Sequence, residues 1–257
     1  MQVRRIHPDG AAITVEQAVD ELALAQDAPA DRPYVVANMV STADGHATIG
    51  GRSGPLGGEA DRALFHALRG RVEAVMAGTG TLRAERYGRL VRDPAAREAR
   101  AARGLTPDPI AFVVTRSGRL PLDIPLFQDP GSTVAVYSAS AVEAGDCPAT
   151  VHVTRLAESS MGAALRALRA DHGVRSLLCE GGPTVLGALV REGLVDELFL
   201  TVAPLLAAGE PALPTVSGQA LPHPARLRLR WVLESEDELM LRYQVDASGH
   251  APAAPGV

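Results

Sequence analysis

Apolar residues recur along this chain with two periods, and the chain switches between them repeatedly. Short apolar runs at Tyr34–Val40, Val72–Ala77, Ile110–Thr115, Thr133–Tyr137, Val174–Cys179 and Leu198–Ala203 have the length of buried strands. Between them lie stretches whose apolar residues return every three or four positions. Glu59–Gly70 does so through Leu64, Ala67 and Leu68, and Met161–His172 closes on Gly173, a residue suited to ending a helix. Pro183–Arg191 carries proline in its first turn. Residues 94–103 (PAAREARAAR) predict a solvated helix. Residues 15–25 place Val15, Ala18, Val19, Leu22 and Ala25 at helical spacing and predict an N-terminal docking helix ahead of the loop-like DAPADRP. The last two runs, Arg226–Glu234 and Glu238–Val245, alternate apolar and polar residues around a turn at Ser235–Asp237, the pattern of an antiparallel hairpin. Together these elements predict a three-layer α/β fold with a mostly parallel central sheet and an antiparallel C-terminal hairpin. The expected division is an extension over 1–32, one domain over 33–246, and a small, Pro-rich, disordered tail over 247–257.

Composition narrows the chemistry. A chain of 257 residues can bury a full core as one α/β domain. Its 30 acidic and 25 basic residues leave a net charge of −5, which argues against a general nucleic-acid or membrane binder. Every base is arginine. The absence of lysine excludes Schiff-base catalysis and a P-loop lysine. Cys147 and Cys179 stand apart, without metal-ligand spacing, so reduced thiols and no metal are expected. No signal-peptide or membrane-spanning stretch is visible, and a cytoplasmic location is expected.

Two strand-to-helix junctions are rich in glycine: Gly78-Thr79-Gly80-Thr81, and Glu180-Gly181-Gly182-Pro183-Thr184. Such junctions let a phosphate approach the backbone, although either could simply form a tight turn. The pair favours a ligand with two phosphate groups or more. A Rossmann fingerprint fails at the first, because Arg83 stands where the third small residue belongs. From Glu59 to Arg103 there are ten arginines and six acids, a local +4. That field suits a phosphorylated ligand, with Arg69, Arg83, Arg86, Arg89 and Arg92 as candidates and Arg97, Arg100 and Arg103 as surface charges of the solvated helix. Asp44 follows the first strand directly, placed either to meet a ligand or to make an Asx-turn. His46 shares its loop, whereas His66 reads as a helix-face residue.

Six segments in this order resemble the reductase domain of the bifunctional riboflavin-biosynthesis deaminase-reductase. They are S-T-A-D-G at 41–45, S-G-P-L-G-G at 53–58, G-T-G-T-L-R-A-E at 78–85, V-T-R-S-G-R-L at 114–120, E-G-G-P-T-V-L-G-A-L at 180–189 and L-V-D-E-L-F-L-T-V-A-P at 194–204. The resemblance implies a dihydrofolate-reductase-like fold, NADPH as cofactor, and reduction of a ribosylaminopyrimidine 5′-phosphate to its ribitylamino form. It implies cofactor contacts from Ser53, Leu56, Gly78, Thr79, Thr81, Glu85, Thr115, Arg116, Ser117, Gly181, Gly182, Pro183, Thr184, Val185 and Leu186. Arg116 or an arginine of the Thr79–Glu85 turn would meet the 2′-phosphate. Asp44 is implied as the catalytic residue, near the nicotinamide and the substrate's ribose, with Arg69, Arg92 and Glu180 as further substrate contacts. Where the family often has an aspartate-proline pair, this chain has Glu85-Arg86-Tyr87. The zinc-ligand motifs of the deaminase partner are absent, so a free-standing reductase is expected. A homodimer is expected from the resemblance and from the apolar Leu194–Leu206 segment and the terminal hairpin, placed at an exposed sheet edge in need of cover. The competing readings are a pterin reductase of the same fold and a non-catalytic nucleotide-binding protein.

Overall fold

The chain begins on a strand rather than on a helix. In the computed structural model, which describes residues 1–209 and 213–246, Gln2–His7 (β1) and Ala12–Thr14 (β2) pair antiparallel. A short helix follows at Val15–Asp20 (α1), started by a reciprocal box in which Gln17 N–H donates to Thr14 Oγ1 and Thr14 N–H to Gln17 Oε1. The helix expected over 15–25 stops at Asp20 because the chain leaves helical register. Leu22 still packs against the core in part, but Leu24 is the next residue to be fully buried, where the period requires Ala25. The expected tail at 247–257 lies outside the described residues.

The remaining elements follow the predicted alternation. They are Tyr34–Thr42 (β3), Glu59–Arg69 (α2), Ala74–Met76 (β4), Thr79–Ala84 (α3), Pro94–Ala102 (α4), Ile110–Val114 (β5), Pro125–Gln128 (α5) and Thr133–Ser138 (β6). Then come Thr150–Arg155 (β7), Met161–His172 (α6), Ser176–Cys179 (β8), Pro183–Arg191 (α7), Glu197–Ala203 (β9), Arg226–Ser235 (β10) and Glu238–Asp246 (β11). All strands join one sheet in the order β2-β1-β10-β11-β9-β3-β8-β4-β5-β6-β7. From β9 to β7 neighbouring strands are parallel, and from β2 to β9 they are antiparallel. Glu236 and Asp237, both with positive φ, make the two-residue loop of the hairpin β10–β11, the twist that a tight hairpin requires. β7 was not anticipated. Its alternating sequence TVHVTR is mostly solvent-facing on a sheet edge, so it lacks the apolar run that marks the inner strands.

Strand alternation feeds two cores. Val36 of β3, Leu178 of β8 and Val113 of β5 face one side, where Leu64 and Leu68 of α2 and Val15 and Val19 of α1 pack. Val35, Leu177 and Phe112 face the other, against Leu165 and Leu168 of α6 and Leu186 and Leu189 of α7. This is the three-layer arrangement that the apolar runs predicted, since a parallel strand covered on both faces has no polar face to show.

Two expectations are corrected. The terminal hairpin is not the free sheet edge, because β1 covers β10 at Val232–Glu234; only the outer half of β10 stays open, with Leu227 46% and Leu229 38% exposed. Arg100, read as a surface charge, is fully buried. Its guanidinium donates to the carbonyls of Arg69, Val72 and Thr106, tying α4 to the end of α2. Helical periodicity hid this, because an arginine on an alanine-rich helix looks solvated unless nearby carbonyls lack donors. Arg100→Ala would strand three carbonyls, and urea unfolding should show a loss of at least about 3 kcal/mol. A change inside about 0.5 kcal/mol, the range of ordinary surface substitutions, would return Arg100 to the solvated face.

Candidate active site

The two glycine junctions turn out to be one structure. β4 and β8 are parallel neighbours, so their C-terminal ends deliver Gly78 and Gly181 side by side. Gly78 N–H donates to the Gly181 carbonyl at 2.8 Å. The contact needs bare backbone: a Cβ on Gly78 would lie 2.9 Å from Val185 Cγ2, and one on Gly182 would lie 2.9 Å from Thr81 Oγ1. The Gly181–Gly182 peptide is cis, and α7 starts after Gly182 without a side-chain cap; Pro183 has no N–H and Val185 N–H returns to the Gly182 carbonyl, so Thr184 supplies the open first-turn N–H at the strand ends. Thr79 opens α3 beside it, and Pro183 and Thr184 open α7, with Thr184 Oγ1 3.3 Å from Ser217 Oγ. Thr115-Arg116-Ser117 leave β5, the strand next to β4; Thr115 is buried, while Arg116 is exposed and pairs with no carboxylate among the described residues. A backbone cradle next to an unpaired cation fits the phosphates of a dinucleotide. The side chains of Leu56 and Leu186 are buried.

Beside this crook lies a cavity of about 680 Å³ bounded by β3, α2 and the segment 85–93. Of the anticipated residues, Ser53, Arg69, Thr81, Glu85, Arg92 and Glu180 line it. Its floor is an ion pair. Arg69 Nε and Nη2 donate to Glu180 Oε1 and Oε2 at 2.6 and 2.7 Å, and Nη1 donates to the Leu90 carbonyl at 2.9 Å. Tyr87 completes the carboxylate's shell with its hydroxyl at 2.8 Å, and the Phe65 ring lies 4.1 Å beneath the guanidinium. Burial alone would lower the Arg69 pKa, but the Glu180 charge and fork reverse the sign and raise it. Burial, then the Glu180 charge, pushes the Tyr87 hydroxyl well above its ordinary range. Burial and the Arg69 charge hold His66, another lining residue, below its usual value.

The rim is basic. Arg62 donates to the Gly57 carbonyl at 2.8 Å, and Arg89 pairs with Asp108 at 2.8 Å. Arg86 is mostly exposed, 3.9 Å from an exposed Asp123. Arg92 pairs with no carboxylate among the described residues, and its Nη2 would lie 3.3 Å from a Cβ on Gly88. Glu85 faces inward on other duty, accepting from Ser53 N–H at 2.8 Å and Ser53 Oγ at 3.1 Å, which holds the 50s loop against α3.

Asp44 stands outside the cavity lining. Its carboxylate accepts from the Thr42 hydroxyl and from Ala208 N–H at 2.8 Å and Ala207 N–H at 3.2 Å, with His46 Nδ1 at 3.4 Å. The Thr42 hydroxyl, followed by those backbone amides, holds it far below the usual carboxylate range. Sequence reasoning missed Asn38, Asp61 and Phe65, all of which line the cavity. The strand run around Asn38 reads as core. Asp61 reads as an ordinary acid in a helix's first turn. Burial raises Asp61 to about 6, with the Glu238 charge adding to the effect and the Thr201 hydroxyl and Arg62 opposing it.

Comparison with known proteins places this geometry in a lineage. The RibD C-terminal domain profile matches residues 33–241. A relative from Archaeoglobus fulgidus, named 2,5-diamino-6-ribosylamino-4(3H)-pyrimidinone 5′-phosphate reductase, is 30% identical over 189 residues, covering 72% of this chain and 86% of its own. A relative of the same name from Methanothermobacter thermautotrophicus is 29% identical over 221 residues, covering 83% of this chain and 99% of its own. The crystal structure of a pyrimidine reductase-like protein from Corynebacterium diphtheriae superposes with a TM-score of 0.75 at 26% identity, covering 91% of this chain and 99% of that one. The fold is thus the dihydrofolate-reductase-like one that the sequence resembled.

The Asp61 environment carries a stability consequence. A carboxyl raised from its ordinary 3.8 to about 6 keeps a proton in the folded state that the unfolded chain releases, so stability falls as pH rises between these values and stays lost above them. Asp61→Asn removes that penalty. Thermal and urea unfolding at pH 7.5 should show the variant more stable than wild type, by at most about 3 kcal/mol, with the gain vanishing near pH 4. An Asp61→Asn protein that is less stable at pH 7.5 would show that the carboxylate has a partner in the fold.

Proposed function

The chain belongs to the RibD C-terminal domain family, and we propose that it is an NADPH-dependent reductase that converts a ribosylaminopyrimidine 5′-phosphate to the ribitylamino product. The observation that carries this reading is the junction of two sites: a bare-backbone crook at the ends of β4 and β8, opening beside a cavity with unpaired arginine at its rim. Dinucleotide phosphates suit the first and a sugar phosphate the second. Its relatives named as pyrimidinone 5′-phosphate reductases point to the same class of substrate. The arginine rim favours this phosphate ester over an unphosphorylated pterin.

The reaction adds a hydride to the former anomeric carbon of the ring-opened ribosylamine and a proton to the attached nitrogen, leaving a secondary amine. Bound nicotinamide supplies the hydride. The chain's task is alignment and exclusion of water. Gly78, Thr79, Thr81 and Gly181–Thr184 would hold the dinucleotide backbone, with Arg116 or Arg83 on the 2′-phosphate. Arg92, with Arg86 beside it, would take the substrate phosphate. Arg69 and Glu180 are already committed to each other, so their part is to shape the floor and present one edge of the pair to the ring. Asp44 is ionised at any working pH, which suits it to orient a ribose hydroxyl and the 205–208 segment rather than to deliver a proton. Leu227 and Leu229, exposed on the open half of β10, support self-association as a homodimer.

Two outcomes test the reading. Loss of NADPH absorbance should follow addition of the ribosylaminopyrimidine 5′-phosphate, and calorimetry should find NADPH bound more tightly than NADH by about 10–100-fold, the worth of one charge-assisted contact of about 1.5–3 kcal/mol. Equal affinities would remove the 2′-phosphate argument, and no turnover would remove the function. Asp44→Asn should lower kcat by about 10–100-fold through the same class of contact, while the NADPH Kd moves less than about threefold. Unchanged kcat would take Asp44 out of the site.

A further inference from the structure

Arg86 holds a backbone conformation that arginine rarely adopts, at a place where the fold asks for glycine. α3 ends at Ala84, and Glu85 follows as its C-cap. Arg86 N–H then donates to the Arg83 carbonyl at 3.2 Å, and Tyr87 N–H to the Leu82 carbonyl at 3.1 Å. This pair of bonds closes a helix on a left-handed residue, here Arg86 with φ +46°. Glycine fills such a position without strain, whereas a side chain there is destabilising. Little among the described residues offsets that strain. The carboxylate beside the guanidinium, Asp123, is 3.9 Å away, and both side chains are mostly exposed. A pair of that kind contributes almost nothing. A side chain kept on strained backbone beside a cavity points to a ligand.

The backbone on either side is fixed. Glu85 accepts from Ser53 N–H, the Tyr87 hydroxyl donates to Glu180, and the Tyr87 carbonyl accepts from Leu126 N–H, each at 2.8 Å. Arg86 is thus a long cation on a rigid mount, lining the cavity. Arg92 folds back toward the same turn, since its Nη2 would lie 3.3 Å from a Cβ on Gly88. Arg69 and Arg89, by contrast, are already paired with Glu180 and Asp108. Two open guanidiniums on one segment match the oxygens of a phosphate monoester, whose charge offsets their mutual repulsion. The substrate's 5′-phosphate and the dinucleotide's 2′-phosphate are both groups of this class. Position on α3 favours the first, because Gly78 and Thr79 open that helix at the crook and Arg86 lies past its other end. We propose that Arg86 is the contact by which the enzyme requires a 5′-phosphate on the sugar, separating the phosphorylated substrate from the same compound without its phosphate. The assignment rests on the reductase reading above and gives one arginine of the rim the discriminating task. It falls where Glu85-Arg86-Tyr87 replaces the family's frequent aspartate-proline pair, so it is not a contact that the resemblance supplies.

The test gives the purified full chain, with NADPH, the ribosylaminopyrimidine 5′-phosphate and the same compound dephosphorylated. Wild type should favour the phosphate ester by at least about 100-fold in kcat/KM, the worth of two charge-assisted contacts. Arg86→Gly should cut that preference by about 10–100-fold, mainly through a higher KM for the phosphate ester. Arg86→Lys should recover part of it, since an ammonium keeps the charge and loses the fork. Calorimetric binding of ribose 5-phosphate should weaken by the same factor in Arg86→Gly, while the NADPH Kd moves less than about threefold. Relief of strain should raise the Tm of Arg86→Gly by about 2–4 °C, a direction that damage to the fold cannot imitate. An Arg86→Gly protein that keeps the wild-type preference overturns the assignment. So does one that loses NADPH affinity instead, which gives the arginine to the 2′-phosphate, or one that unfolds below wild type, which makes the side chain structural. Each of these leaves the reductase reading standing. Turnover of neither compound overturns that reading and this assignment together.

Discussion

The fork between Arg69 and Glu180 is the interaction on which the site depends. Arg69 belongs to the last turn of α2, and Glu180 follows β8 immediately before the glycine crook. Their two parallel bonds, with the Leu90 carbonyl and the Tyr87 hydroxyl attached, join a helix, a strand end and the 87–90 segment at one buried point. A desolvated pair of this kind contributes little net stability against an apolar replacement, yet removing either partner leaves a buried charge and costs about 3–5 kcal/mol. Its role is geometric. It fixes the distance between the glycine crook and the cavity wall on α2.

That same pair explains where recognition must come from. Because Glu180 is saturated from within the protein, it has little capacity left for a ligand, although the family resemblance marks it as a substrate contact. The cavity's other polar lining residues include Arg92, Asp61 and Asn38, and Arg92 pairs with no carboxylate among the described residues. The local excess of arginine between Glu59 and Arg103 therefore divides by duty. Arg69 and Arg100 are structural, Arg89 is paired with Asp108 and Arg71 with Asp20, and only part of the positive charge faces a ligand.

What could be read from the sequence followed from periodicity and from glycine. Apolar runs marked the strands covered on both faces, and the two glycine junctions marked the strand ends. Their mutual contact could not be read, since adjacency of β4 and β8 is a matter of topology and not of spacing. β1 escaped because QVRRIH offers one buried residue, Val3, too little to reveal a period. Asp61 escaped for a different reason. Its position in a helix's first turn has a satisfactory local explanation, and only the arrival of Glu238 from the far end of the chain cancels it.

The reach of Glu238 also bears on how the molecule is made. β3, the first long strand, lies between β8 and β9, and the start of α2 is capped by a residue of the final strand. During synthesis the early strand would have to wait, apolar on both faces, until the later ones emerged to flank it. The helix carrying Asp61 would likewise lack its cap until the final strand emerged. Wiring of this kind forbids assembly by halves and makes the nascent chain a client for protection from aggregation. It also means that every residue lining the cavity, from Asn38 to Glu180, is synthesised before the strand that caps α2.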